Sequence, residues 1–317
     1  MIQINNLSKF YGDFRAVNDL SFTVNDGEIL GFLGPNGAGK TTTLKMLTCF
    51  MPPSSGTITY NDLDVREHSM QIREKVGYLP ENAPLYEYKS VREFLEYMCD
   101  LRNIKGTRKK DRISKMIETC GLSHVTGKDI GTLSKGYRQR VGIAQAMIHE
   151  PEILILDEPT IGLDPNQIVE IRNLIKKIGE EKTVILSTHI LSEVEAACTR
   201  VVIISSGEIV ADGTPESLKS QMAGSSVLHL EFIGDRRDAE AVFSTMGNAR
   251  ILEMSPGEGA GDTVTLDLSI PGNSDIRREI SEKITGKGWT ILEMHLHKDN
   301  LEDVFRKLTQ SNGGVQR

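Results

Sequence analysis

With 317 residues the chain is long enough for two domains with cores of their own, and 38% apolar with 26% charged residues excludes a disordered or fibrous polypeptide. A formal net charge of -7 weighs against a general nucleic-acid binder, which needs a basic face to neutralise phosphates, so no direct nucleic-acid partner is expected. The four cysteines, Cys49, Cys99, Cys120 and Cys198, show no CxxC spacing and sit mostly among apolar neighbours, which reads as buried thiols in a reducing cytoplasm.

The first residues, Met1 to Leu7, alternate apolar and polar like a strand and lack the charged and hydrophobic regions of a signal peptide, so nothing directs the chain out of the cytoplasm. Strands are expected at Ile2 to Leu7, Leu20 to Val24, Glu28 to Leu33 and Gly56 to Tyr60, then helices from about Val91 to Glu150. Short apolar runs at Ile153 to Leu156, Thr183 to Ser187 and Val201 to Ile204, separated by helical segments, predict buried parallel strands of an α/β sheet. None of these runs approaches the roughly 20 apolar residues that span a bilayer, so the chain is expected not to cross a membrane by itself.

Small and polar residues from Gln221 to Ser226 read as a linker and place a boundary there, between a domain of 1–222, with a helical part at about 84–150, and a second of 223–317. Beyond it, strands at Val227 to Ile233, Arg250 to Met254, Thr263 to Ile270 and Thr290 to His297 alternate with helices at Asp235 to Met246 and Ser274 to Thr285. That order, βαββαβ, predicts a small α+β domain of the split-βαβ, ferredoxin-like kind, followed by a helix at Leu301 to Leu308 capped by Asp299 and Glu302. It carries no obvious nucleophile and reads as a dimerisation or regulatory module; His295 and His297 share one strand face but lack the further ligands of a metal site.

Two stretches carry chemistry. Strand Glu28 to Leu33 runs into Gly34-Pro35-Asn36-Gly37-Ala38-Gly39-Lys40-Thr41, which satisfies GxxxxGK[ST] and opens a helix at Thr42. In such a P-loop the glycines let backbone N–H groups converge on phosphates, the helix start adds its dipole, Lys40 reaches the β- and γ-phosphates of ATP, and the Thr41 hydroxyl ligates Mg²⁺. A plain glycine turn gives no reason for Lys-Thr at that point. The run Ile153 to Leu156 then delivers Asp157 and Glu158 at the C-terminal end of a strand, where α/β sheets place ligand chemistry. After a P-loop this is a Walker B pair: Asp157 for Mg²⁺, directly or through water, and Glu158 to orient and polarise the attacking water.

Leu133-Ser134-Lys135-Gly136-Tyr137-Arg138-Gln139-Arg140, just upstream, resembles the LSGGQ signature of ABC ATPases, with Lys135 and Tyr137 as departures. Ser134 also reads as the N-cap of an amphipathic helix. The resemblance covers about residues 1 to 220 and implies an ABC-type P-loop ATPase fold, a RecA-like core sheet with an antiparallel β subdomain and a helical subdomain. It implies that Ser134 and Gly136 bind the γ-phosphate of ATP held by a second copy, that Tyr11 stacks on adenine, and that Asp164 in Gly162-Leu163-Asp164 communicates across the dimer. His189 in Ser187-Thr188-His189 then matches the switch histidine that contacts the γ-phosphate. Glu81, in Gly77-Tyr78-Leu79-Pro80-Glu81, stands where the family places a glutamine; it reads either as an acceptor for Mg²⁺-bound water or as a solvated loop acid.

That loop and Asn300-Leu301-Glu302-Asp303-Val304-Phe305 make the chain similar to the ATP-binding subunits of ABC-2-type exporters, and among them to the gliding-motility-associated subunits of bacteria. The resemblance implies an ATPase, working as a head-to-tail dimer, by default a homodimer, that drives a separate integral-membrane permease from the cytoplasmic face of the membrane. The basic run Lys105 to Arg112, read as a solvated loop between helices, falls in the segment that faces the permease in that family. The competing reading is a soluble ABC ATPase acting on ribosomes or DNA; the single ATPase domain and the lack of a long coiled-coil insertion argue against it. A weak nucleotide sensor would need a lost catalytic residue, whereas Lys40, Asp157, Glu158 and His189 are all present.

Overall fold

Strands that are covered on both faces need no alternation, and three of them show this: β3 (Ile29–Leu33), β7 (Ile153–Asp157) and β8 (Thr183–Thr188) are buried at every position. The computed structural model describes residues 1–222, 225–257, 262–271, 275–297 and 305, and its contacts divide the chain into two compact units, one running through Pro215 and the other starting at Glu216. The division falls at the start of helix α8 (Pro215–Met222), while the loosened composition marks its end.

In the first unit β1 (Ile2–Tyr11), β2 (Phe14–Val24), β4 (Ser55–Tyr60) and β5 (Leu63–Asp64) form an antiparallel sheet of order β2-β1-β4-β5. The second sheet has the order β10-β9-β3-β8-β7-β6, with β6 (Val76–Leu79) parallel to β7, β9 (Arg200–Ser205) parallel to β3, and β10 (Glu208–Gly213) antiparallel to β9 at the edge. Ile4, Val17, Phe22, Leu44, Ile58, Ile155 and Ile204 belong to one core that joins the two sheets through helix α1 (Lys40–Leu47). Helices α2 (Ser69–Lys75), α3 (Val91–Leu101), α4 (Gly106–Thr119), α5 (Lys135–Met147), α6 (Pro165–Gly179) and α7 (Leu191–Ala197) supply the rest.

Two expectations need correcting. Strand β2 begins at Phe14 rather than Leu20, because a bulge at Asn18 and Asp19, the latter at φ +54°, interrupts the alternation while pairing continues on both sides, Leu7 with Leu20 and Lys9 with Val17. The run Lys105 to Arg112 is no loop: from Gly106 it is the start of α4, whose charged composition hides a buried stripe of Ile113, Met116 and Ile117. Arg112 is itself 5% exposed. Its guanidinium donates to the carbonyls of Met147 and Ile148 and to Glu150 (2.8, 3.0 and 2.7 Å), closing the C-terminal end of α5. Burial raises the thiols of Cys120 and Cys198 to about 12 and that of the half-buried Cys49 to about 11, so none of the three is an activated nucleophile.

The second unit contains β11 (Ser225–Ile233), α9 (Arg236–Ser244), β12 (Arg250–Pro256), β13 (Thr263–Pro271), α10 (Arg277–Gly286) and β14 (Thr290–His297). All its strand pairs are antiparallel and their order is β12-β13-β11-β14, the order of a split-βαβ sheet. Leu228, Leu230 and Phe232 of β11 face a core with Phe243, Leu266 and Ile280, while the residues between them look the other way. Asp235 caps α9, accepting from the N–H groups of Arg237 and Asp238. His295 lies opposite His229, and the described residues hold no cluster of three metal-type side chains. The helix expected at Leu301 to Leu308, with Asp299 and Glu302, lies outside the described residues apart from Phe305.

Candidate functional site

Three parallel strands end side by side, and each delivers part of one cluster. From β3 the chain turns through Gly34 to Gly39 into α1. A Cβ at Gly34 would sit 2.4 Å from the Ile204 carbonyl, and Gly39 has φ +102° with the Ala16 carbonyl 2.6 Å from its would-be Cβ. Only glycine fits at either position. At the head of α1, Lys40 is 6% exposed and folds back to donate to the carbonyls of Gly34 (2.7 Å) and Pro35 (3.3 Å). Asn36, Gly37 and Gly39 line an open pocket with Tyr11, Phe14, Thr41, Thr42, Glu81, Glu158 and Ile161, while Ala38 is buried beneath the loop.

From the end of β7 come Asp157 and Glu158. Asp157 is fully buried; its Oδ1 accepts from Ser187 Oγ at 2.6 Å and from Thr41 Oγ1 at 3.3 Å. Burial, more than the nearby Glu158 charge, raises its pKa above the usual aspartate value despite these two bonds. Its Oδ2 is buried with no partner, an orphaned acceptor beside a threonine hydroxyl, which is the hard-oxygen donor set a Mg²⁺ ion takes. The residues therefore fit that ion, with Thr41 and Asp157 to hold it.

Glu158 adopts φ +49°, a left-handed conformation that costs a side-chain-bearing residue about 1–2 kcal/mol. Ser187 pins it there: the Glu158 N–H donates to Ser187 Oγ (3.0 Å) and to the Ser187 carbonyl (3.1 Å). In this pose the Glu158 carboxylate lies 3.2 Å from Lys40 Nζ, a pair in which both side chains are 6% exposed. Its other oxygen is 2.9 Å from Nδ1 of His189, which β8 delivers. The arrangement thus concentrates two cationic or donor groups and two carboxylates where phosphate charge can be met at low dielectric.

Tyr11 ends β1 opposite Phe14, and its hydroxyl reaches Met51 Sδ at 3.3 Å, leaving a ring 47% exposed at the pocket mouth. Glu81 is exposed and lines the same pocket. Ser134, Gly136 and Asp164 are elsewhere. They line a second hollow between the N-terminal ends of α5 and α6. Ser134 caps α5 by accepting from the Tyr137 N–H, and Asp164 caps α6 by accepting from that of Gln167. Gly136 admits close packing of the two helices, since a Cβ there would meet the Gln167 side chain at 2.7 Å.

The sequence reading missed Ser187 and Phe14. In the sequence Ser187 is only the first residue of Ser-Thr-His, and its role depends on the neighbouring strand; Phe14 is hidden by the bulge that displaces the start of β2.

A family profile described as ABC transporter matches residues 17–161. The linearmycin resistance ATP-binding protein of Bacillus subtilis is 30% identical over 310 residues, 98% of each chain. The bacitracin transport ATP-binding protein of Bacillus licheniformis is 35% identical over 97% of each chain, and the Nod factor export ATP-binding protein I of Cupriavidus metallidurans is 33% identical over 98% of this chain and 97% of its own. Among solved structures, an ATP binding subunit of an ABC transporter superposes with TM-score 0.63 at 30% identity, over 70% of this chain and 92% of its own. A dimeric ATP-binding cassette bound to ADP and Pi gives 0.62 at 25% identity, over 68% and 98%.

Proposed function

Since the chain belongs to the family of ABC transporter ATP-binding subunits and is an ATPase coupled to transport, we propose that it powers a separate integral-membrane permease of the ABC-2 exporter type, working as a homodimer on the cytoplasmic face of the membrane. The observation that carries the reading is the convergence of Lys40 and His189 on the two oxygens of Glu158. An incoming γ-phosphate competes for both groups: Lys40 and His189 pass to the phosphate oxygens, and Glu158 is freed to accept a proton from the attacking water. Thr41 and Asp157 would hold Mg²⁺, and Glu81, which lines the same pocket, would be an acceptor for water on that ion. When bound, that ion neutralises charge on the phosphates.

The P-loop N–H groups from Gly34 to Thr42 cradle the phosphates and Tyr11 stacks on the adenine. Ser134 and Gly136 line a hollow that shares no residue with the Lys40 pocket, which supports a site completed by the signature of a second copy, with Asp164 at the junction. Export is supported by a relative named for Nod factor export, and transport more broadly by one named for bacitracin transport. A separate permease is supported by two facts: no helix among the described residues is long and apolar enough to cross a membrane, and a broad groove is rimmed by the exposed apolar side chains of Phe50, Met70 and Leu101. The similarity to gliding-motility subunits rests on the Glu81 loop and the segment near Phe305, and the second unit is read as a dimerisation or regulatory domain.

Purifying the tagged chain from its native membrane in mild detergent, with mass spectrometry of its partners and an ATPase assay, tests the reading. A stoichiometric polytopic membrane protein is expected; recovery with ribosomal or DNA-repair proteins instead would overturn it.

A further inference from the structure

The structure assigns a positioning role in hydrolysis to Glu193, a residue of α7 that no motif marks; the assignment rests on the reading of His189 as the group that meets the γ-phosphate. Glu193 is 3% exposed, an unusual place for a carboxylate. Its Oε2 accepts a hydrogen bond from Thr188 Oγ1 at 2.8 Å. The same hydroxyl oxygen accepts from the N–H of Ile190 at 3.0 Å, the two-residue turn in which a threonine side chain stands in for backbone. The residues on either side of His189 are therefore tied to one hydroxyl, and that hydroxyl is tied to Glu193.

Helix α7 has no other device at its start: Ile190 provides no side-chain cap. At its far end the helix is wedged onto β3, where a Cβ at Gly31 would meet Cys198 Sγ at 2.9 Å and Val194 Cγ1 at 3.1 Å. Gly31 lies three residues before the first P-loop glycine. The clamp from Thr188 to Glu193 thus fixes His189 relative to the strand that leads into the phosphate loop. Glu193 makes no bond to the imidazole, whose Nδ1 goes to Glu158, so it acts on the histidine only through the backbone turn. Glu193 Oε1 is buried without a partner, a cost that a merely structural residue such as leucine would avoid.

Hydrolysis depends on where His189 sits, whereas ground-state ATP binding rests mainly on the P-loop. Displacing a group by about an ångström costs on the order of 100-fold in rate. Glu193→Ala in the full chain is expected to lower kcat about 10- to 100-fold with KM for ATP within about twofold of wild type. Glu193→Gln, which keeps an acceptor for Thr188, and Thr188→Ser, which keeps the hydroxyl, are expected to recover most of the rate. Should Glu193→Ala fail to fold, Thr188→Val cuts the same clamp from the other side and is expected to show the same split between kcat and KM. A KM that rises in step with a falling kcat, or Glu193→Gln as slow as Glu193→Ala, overturns the proposal. His189→Ala separates it from the reading beneath: full activity there removes the role of His189 itself, while an inactive His189→Ala beside fully active Glu193→Ala and Thr188→Val removes only the clamp.

Discussion

The two units solve the problem of a sheet in opposite ways. In the first, helices and a second sheet cover both faces of the parallel strands, and the charged groups at their C-terminal ends are shut in: Lys40, Asp157, Glu158 and Glu193 are all at most 6% exposed. In the second, α9 and α10 cover one face only, and among its described residues the buried polar side chains are Ser226 and Thr263, with no charged one. Its open face instead carries a cross-strand row of Glu253, Asp267, His229 and His295, with Glu231 directly opposite Glu293 beside it. Enclosure makes charges reactive and costly to leave unpaired; half-exposure leaves them solvated and cheap. The chain also labels its two halves: all seven tyrosines precede residue 138, and the single tryptophan, Trp289, stacks on Phe232 at 5.3 Å in the second unit.

The largest effect should come from the enclosed cluster. Glu158→Gln is expected to lower ATPase turnover by about 100- to 10,000-fold, the usual worth of a general base, while ATP binding persists; steady-state turnover near wild type would remove Glu158 from the chemistry and blur the contrast. Next, Arg112→Ala strands two carbonyls at the end of α5 and leaves Glu150 paired with Arg108 alone. A loss of about 2–3 kcal/mol is expected in tyrosine-reported unfolding, with the Trp289 transition unmoved; if both signals shift together, the units do not unfold separately.

A smaller effect is expected from pH. Burial, aided by the charge of Arg102, pushes the His149 imidazole down to about 4. Its neutral ring therefore contributes stability that is complete above the ordinary histidine value near 6.5 and is lost as pH falls from there through about 4. The tyrosine-reported midpoint of wild type should fall more steeply over that window than that of His149→Gln, and parallel curves would show that another group carries the acid sensitivity. The smallest change belongs to the open face. Glu293→Lys turns a like-charge pair with Glu231 into an opposite one and should raise the Trp289-reported stability by about 0.5 kcal/mol; a loss above 1 kcal/mol would mean that this face is more enclosed than the first unit's contrast allows.

Local chemistry was legible without coordinates. The spacing of Gly34 to Thr41, the apolar run ending in Asp157-Glu158, and the strand and helix periods of the second unit each follow from rules acting over a few residues, so the sequence by itself determined the nucleotide chemistry and both sheet types. What it could not show are relations that only strand pairing and packing bring about. The bulge that moves β2 to Phe14 is set by pairing with β1, and the folding back of Arg112 by the seating of α4 against α5; Ser187 bridging Asp157 and Glu158, and the meeting of Lys40 with His189 at one carboxylate, exist only because neighbouring strands end side by side. Distances of about 3 Å between residues far apart in the chain are fixed by how the sheet orders its strands and how helices seat against them, and tertiary packing alone decides that.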